Sequence, residues 1–258
     1  MWGAQAQVIT QDDLLVASAN GTISPDLLKR WRLAYASFVN NSLAAIWRQA
    51  AVESRQGVLD GLAIIDVVPR STRFTAALDR WIDVRSASMI DSLAKSQERA
   101  VRNLLRYHIR NDPLSTANLS KVLRPVVSLS PRQELAVRRR RNLLIRRGVS
   151  GTDLDAQVGA YAEYQQRLRA TLIARTELTA AYNNAGLDSV QDTIDQGLIK
   201  PTAEKEWLTA EDERVCAICA PLDGQVVPIK EQFDGGFDVP PAHPQCRCTA
   251  IYNVEAVG

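Results

Sequence analysis

The chain has 258 residues, 46% hydrophobic and 23% charged, which places it with folded globular proteins and excludes a disordered or low-complexity chain. No run of about 18 uninterrupted apolar residues exists, so no membrane span is expected. The first residues lack the basic start and apolar stretch of a secretory signal, and the expectation is folding in a reducing cytosol. The net charge of +2 hides a division: residues 1–150 carry 23 Lys+Arg against 12 Asp+Glu, and residues 151–258 carry 8 against 17. Two faces with different partners are expected, the basic one suited to nucleic acid or to an acidic protein ring. Of the 31 basic residues 25 are Arg, which favours bidentate contacts with phosphate and carboxylate, although a GC-rich coding sequence raises Arg for no structural reason.

Residues 1–22 show no periodicity and read as an N-terminal arm. Ser24-Pro25-Asp26 then supplies an N-cap, a proline at the first helical position and an acid near the positive helix end. Leu28, Trp31, Tyr35, Phe38 and Ile46 follow at helical spacing, which predicts a helix to about Glu53 and then a loop containing Gly57 and Gly61. The apolar run from Gly61 to Pro69 fits either a strand or a buried turn. A second long helix begins at Ser71, carries Phe74, Leu78, Trp81, Met89, Leu93, Ala100, Leu104 and His108 on one face, and is stopped by Asn111-Asp112-Pro113.

Residues 115–129 read as a short helix and connector. Ser130-Pro131-Arg132-Gln133 is a capping box that opens a third helix, closed by Gly148. A fourth starts at Thr152, with Leu154, Val158, Tyr161, Leu168 and Leu172 as one stripe, and runs to Gly197 with a possible bend at Gly186. Beyond Pro201 the texture changes to short strands and tight turns. The expected architecture is α+β: an arm (1–22), a mainly α region of long helices (23–200), and a small β-rich domain (201–258).

All four cysteines lie in that last segment, as Cys216-Ala-Ile-Cys219 and His243-Pro-Gln-Cys246-Arg-Cys248. A C-x2-C on a tight turn can present two thiolates to one ion, and two cysteines two apart on a strand point to the same side. Cys216, Cys219, His243, Cys246 and Cys248 are thus five candidates for the four positions of a structural zinc. A domain of this size buries little apolar surface, and zinc can supply roughly 10 kcal/mol or more of folding free energy. Two disulfides, or four reduced thiols without a ligand, are the alternatives. A catalytic metal would need a second histidine as general base, and the only other one, His108, falls in the helical region. H-E-x-x-H, a Walker A loop, G-x-G-x-x-G and G-x-S-x-G do not occur. The expectation is therefore a structural protein, not an enzyme. A zinc-dependent nuclease, a toxin-like transferase and a free-standing DNA-binding zinc protein are the competing readings.

Leu129-Ser-Pro-Arg-Gln133, Ile173-Ala-Arg-Thr-Glu177, Asn183-Asn-Ala-Gly186, Lys205-Glu-Trp207, Arg214-Val-Cys-Ala-Ile-Cys219, Leu222-Asp-Gly224, Phe233 and Pro240-Pro-Ala-His-Pro-Gln-Cys-Arg-Cys248 occur in this order. In these motifs the chain resembles the phage head-morphogenesis family, the Mu F-like minor head proteins. The resemblance implies a minor capsid protein of the virion, at the portal vertex or capsid interior and in host cytoplasm during assembly. Its implied partners are the portal protein, with scaffold or major capsid protein and phage DNA beside it, and its implied role is head assembly and DNA packaging or delivery. Arg138, Arg139, Arg140, Arg141, Arg146 and Arg147 on the third helix cannot all be buried. They offer a contact to DNA or to an acidic portal surface, with a merely solvated face as the plain alternative. Arg175 sits on the helical stripe and is expected half-buried against an acceptor in the C-terminal domain, with Glu177 also structural. Trp207 is expected as a core anchor.

Overall fold

A computed structural model describes residues 8–20, 22–61, 71–111, 122, 125, 128–255 and 257. Six α-helices appear among them: α1 (Gln11–Asn20), α2 (Pro25–Phe38), α3 (Ala44–Gly61), α4 (Thr72–Asn111), α5 (Pro131–Arg146) and α6 (Gly151–Asp195). Three short antiparallel strands follow, β1 (Glu204–Leu208), β2 (Val226–Pro228) and β3 (Thr249–Asn253), in the order β2-β1-β3. The α+β expectation therefore holds. No helix among the described residues is long and apolar enough to cross a membrane.

The chain forms two compact units, residues 1–41 with 86–171, and residues 42–85 with 172–258. The helical residues between 23 and 200 are shared between them. The first unit is wholly helical among its described residues, and its core gathers Leu27 and Trp31 of α2, Ala100, Val101, Leu104 and Leu105 of α4, Val137 and Leu144 of α5, and Leu154, Val158 and Ala162 of α6. Ile9, Leu14 and Ala17 belong to this core, so residues 9–17 are packed rather than an arm. The sequence hides α1 because its buried apolar positions are few, and its N-terminus is fixed by polar contacts. The Thr10 N–H donates to Asp13 at 2.8 Å, and Ser24 and Arg30 also donate to that carboxylate. At α5 the capping box forms as expected: the Ser130 N–H donates to Gln133 Oε1 at 3.1 Å.

The helix expected to end near Glu53 instead continues to Gly61, with a π turn, Val39–Leu43, between α2 and α3. The reason lies in the spacing of its buried residues Trp31, Tyr35, Val39, Leu43, Trp47 and Ala51, which recur every fourth position. Steps of four in a helix of 3.6 residues per turn drift by about 40° each, and the wider π turn absorbs part of that drift. Trp47 is consequently buried and Ile46, the residue the sequence placed on the core face, is 42% exposed. Gly57 lies within α3, not in a loop. The run Leu62–Pro69 falls outside the described residues, as does most of 115–127.

In the second unit Trp47 and Trp81 meet edge to face at 5.5 Å. Arg55 and Asp192, each 2% exposed, form an ion pair at 2.8 Å, and Asp192 also accepts from Ser71 and Gln196. The Arg55 guanidinium lies 4.5 Å from the centre of the Phe74 ring. Such a pair is costly to break from one side, since the surviving charge would stay buried.

A candidate metal centre

The site is built on β1. Trp207 on this strand is fully buried and meets Phe233 edge to face at 5.2 Å, with Phe237 at 6.0 Å. Trp207, Phe233, Leu222, Cys219, Cys246 and Cys248 are the fully buried members of this small core, so half of it is cysteine. That is a poor hydrophobic core by itself, and it fits a domain held by something other than apolar area. Lys205 on the same strand is 1% exposed; its ammonium donates to the Asp238 carbonyl at 2.8 Å and lies 5.3 Å from the Phe233 ring centre. Burial lowers its pKa, against the opposing charge of Asp238.

The two cysteine segments come together around Cys219. His243 Nε2 lies 3.0 Å from Cys216 Sγ and 3.2 Å from Cys219 Sγ, and Cys219 Sγ lies 3.7 Å from Cys246 Sγ. Donor atoms of Cys216, Cys219 and His243 all fall within 4.8 Å of one another, and so do those of Cys219, Cys246 and Cys248. All four cysteines are free thiols, and the structure brings all five predicted residues to one place.

The electrostatics point the same way. For Cys216, burial works against ionisation, but the backbone N–H groups of Cys219 and Ile218, the Cys219 thiol and His243 outweigh it and bring the pKa down to about 7. Burial first, then the thiols of Cys248, Cys216 and Cys246, pushes Cys219 up. Burial also raises Cys248, although the Trp207 indole favours its thiolate. Thiols this close cannot ionise together unless a cation takes the charge, and a divalent ion bound by thiolates and imidazole does that. The Trp207 indole N–H has no hydrogen-bond partner among the described residues, which suits a donor placed beside a ligated sulfur.

Contacts that hold the ligand loops were not anticipated from the sequence. The Gln245 N–H, in a residue with φ of 64°, donates to Thr176 Oγ1 of α6 at 3.0 Å, and this pins the turn between His243 and Cys246. The Asn183 side chain accepts the Ala250 N–H at 2.8 Å and the Thr249 hydroxyl at 3.1 Å, docking β3 on α6. Gly186 faces the Tyr252 ring so closely that a Cβ there would stand 2.9 Å from the phenol oxygen. The helix runs unbroken through Gly186, so this glycine serves close approach and not a bend. Asp212 takes a bidentate contact from Arg247 at 2.6 and 2.7 Å and another from Arg214, tying the segment before Cys216 to the one between Cys246 and Cys248. Those hydrogen bonds hold its carboxyl well below the usual range.

Arg175 departs from expectation: it is exposed, as is Leu168 at 40%, because their stripe faces away from the packed side of α6. Glu177 is the buried member of that motif, bound by Arg85 through two contacts of 2.8 and 2.6 Å.

The arginines of α5 divide. Arg138 is half-buried, bonded to Glu134 at 3.0 Å and stacked 4.3 Å over Tyr107, so its role is in the fold. Arg140 and Arg141 are half-buried, while Arg139, Arg146 and Arg147 are exposed. Glu134 is 1% exposed, and burial raises its pKa against the opposing effect of Arg138. His108 is buried in the first unit beside Tyr107, and the metal cluster is made wholly of second-unit residues.

No curated protein and no solved structure matches the chain. A family model does match it, over residues 135–251, from the start of α5 into β3. That span includes the arginine run, the Arg-Thr-Glu and Asn-Asn-Ala-Gly segments of α6, and all five Cys/His donors. The family is described as Phage Mu protein F like protein, and this portion of the chain is a member of that head-morphogenesis family.

Proposed function

We propose that the protein is a structural minor head component of a tailed bacteriophage. It acts in head assembly and in DNA packaging or delivery through association with the portal protein. The observation that carries this reading is the family match, which spans both the arginine-bearing helix and the Cys/His cluster. The family's role in head morphogenesis implies other head components as partners; the portal is the specific one proposed, with scaffold or major capsid protein beside it, and the virion as the place of action.

In this reading the Cys/His cluster holds one structural zinc. The donors are thiolates and an imidazole, the set zinc prefers, and they converge where half the small core is cysteine. When bound, the ion neutralises the thiolates and adds folding free energy. The chain's own residues do the rest: β1 and Trp207 form the floor, Thr176 and Asn183 hold the ligand loops to α6, and Asp212 joins the two segments.

Arg139, Arg146 and Arg147 are exposed and have no ion-pair partner among the described residues, which favours contact with packaged DNA or with an acidic portal surface. Co-expression with the phage's portal protein followed by affinity isolation tests the function. Co-purification with the portal oligomer is the expected result. DNA binding without portal association would replace this reading by a DNA-binding zinc protein, and metal-dependent DNA cleavage by the pure protein would replace it by a nuclease.

A further inference from the structure

Five donors compete for four places, and their geometry ranks them. Resting on the reading of the cluster as a metal centre, we propose that Cys216, Cys219, His243 and Cys246 hold the ion and that Cys248 remains outside it, a thiol packed against Trp207.

His243 is fixed as a ligand by both ring nitrogens. Nδ1 lies 2.8 Å from the Pro244 carbonyl oxygen, which can only accept, so Nδ1 carries the proton and the Nε2 lone pair faces the sulfurs of Cys216 and Cys219 at 3.0 and 3.2 Å. Cys216 Sγ accepts the amide N–H groups of Ile218 and Cys219, an arrangement that serves a thiolate. Cys219 belongs to both donor groups and is the common member of any set.

The choice then falls between Cys246 and Cys248. Cys246 Sγ stands 3.7 Å from Cys219 Sγ. A tetrahedron with metal–sulfur bonds of about 2.3 Å has sulfur–sulfur edges of about 3.8 Å, so this pair already has the spacing of two ligands. Cys248 is 5% exposed, packs in the core of Trp207 and Phe233, and receives the influence of the indole N–H. A small, weakly polar side chain fills such a place without ligating anything.

Charge supports the same choice. Three thiolates and a neutral imidazole around a divalent ion leave a net −1, whereas four thiolates leave −2. The second unit already carries 19 Asp+Glu against 12 Lys+Arg. The set with less negative charge is the less costly one there.

The test uses the full chain, purified reduced and loaded with zinc or with cobalt(II) as a spectroscopic substitute. X-ray absorption of the wild-type zinc protein should give three sulfur neighbours and one nitrogen. Cys248→Ser should keep about one metal per chain and the wild-type cobalt spectrum. Cys246→Ser and His243→Asn should lose affinity at least about tenfold against a chelator, as loss of a direct ligand does. A four-sulfur shell in the wild type, or loss of metal in Cys248→Ser matching that in Cys246→Ser, overturns the assignment. Wild-type protein that binds no metal under reducing conditions overturns the metal reading as well, which separates the two failures. The wild-type absorption measurement stands even if a variant fails to fold.

Discussion

The two units solve the same problem with different materials. The first carries 19 Lys+Arg against 10 Asp+Glu and packs a helical core of ordinary apolar side chains. The second has the opposite charge balance, a buried Arg55–Asp192 pair, a two-contact Arg85–Glu177 pair and a small core in which cysteines replace leucines. The difference teaches where each unit is vulnerable. Burial of apolar area is non-directional and tolerates modest change. A core made of buried charges and thiols depends on each partner being present.

The comparison breaks first under metal removal. Chelation of the reduced protein should unfold the region of β1–β3, because an ion of this kind contributes on the order of 10 kcal/mol. Proteolysis should then cut within residues 204–253 while α1, α2 and α5 stay resistant; equal cleavage in both units would erase the contrast. Next in size is Asp192→Asn, which strands the Arg55 guanidinium and should cost about 3–5 kcal/mol in denaturant unfolding. Leu105→Ala, in the first unit's core, should cost about 2–5 kcal/mol and leave metal content unchanged. Asn183→Ala removes the acceptor of the Ala250 N–H and should cost about 1–3 kcal/mol, with faster exchange of β3 amides.

The exposed arginines mark the smallest effect on stability. Arg139, Arg146 and Arg147 changed together to Gln should shift stability by less than about 1 kcal/mol, yet flatten the salt dependence of any DNA binding. An unchanged slope would leave these residues as a solvated face. Asp13 adds an acid limit to the first unit. Hydrogen bonds from Ser24, Thr10 and Arg30 outweigh its burial and lower its pKa, so its contribution is present above the ordinary carboxylate range and fades as pH falls through the lowered value. Asp13→Asn should therefore weaken the fold at neutral pH and make its acid unfolding less steep.

Much of this was legible in the sequence, and the exceptions share a cause. Ser130–Gln133, Asn111-Asp112-Pro113 and the cysteine spacing are local signals, and α5, the end of α4 and the metal cluster lie where they predict. Arg175 and Leu168 were misplaced because periodicity gives the stripe a residue occupies but not which stripe of a long helix is covered. The π turn arises from a row of buried residues four apart, which the eye reads as an ordinary helix. Thr176 and Asn183 act on segments about 70 residues away in sequence, and only the fold brings Gln245 and Ala250 to them. A polar residue and a glycine in mid-helix, as at Asn183 and Gly186, were the available hint, since both cost helix stability and need a tertiary reason.

The central claim is that an ion holds the second unit together, and metal analysis with thiol counting on protein purified under reducing conditions tests it most directly. The account predicts about one zinc per chain, no disulfide, and slow thiol reaction that becomes fast when a chelator is added. Metal-free protein whose β region stays folded, or Cys219 joined to Cys246 or Cys248 in a disulfide, would contradict it.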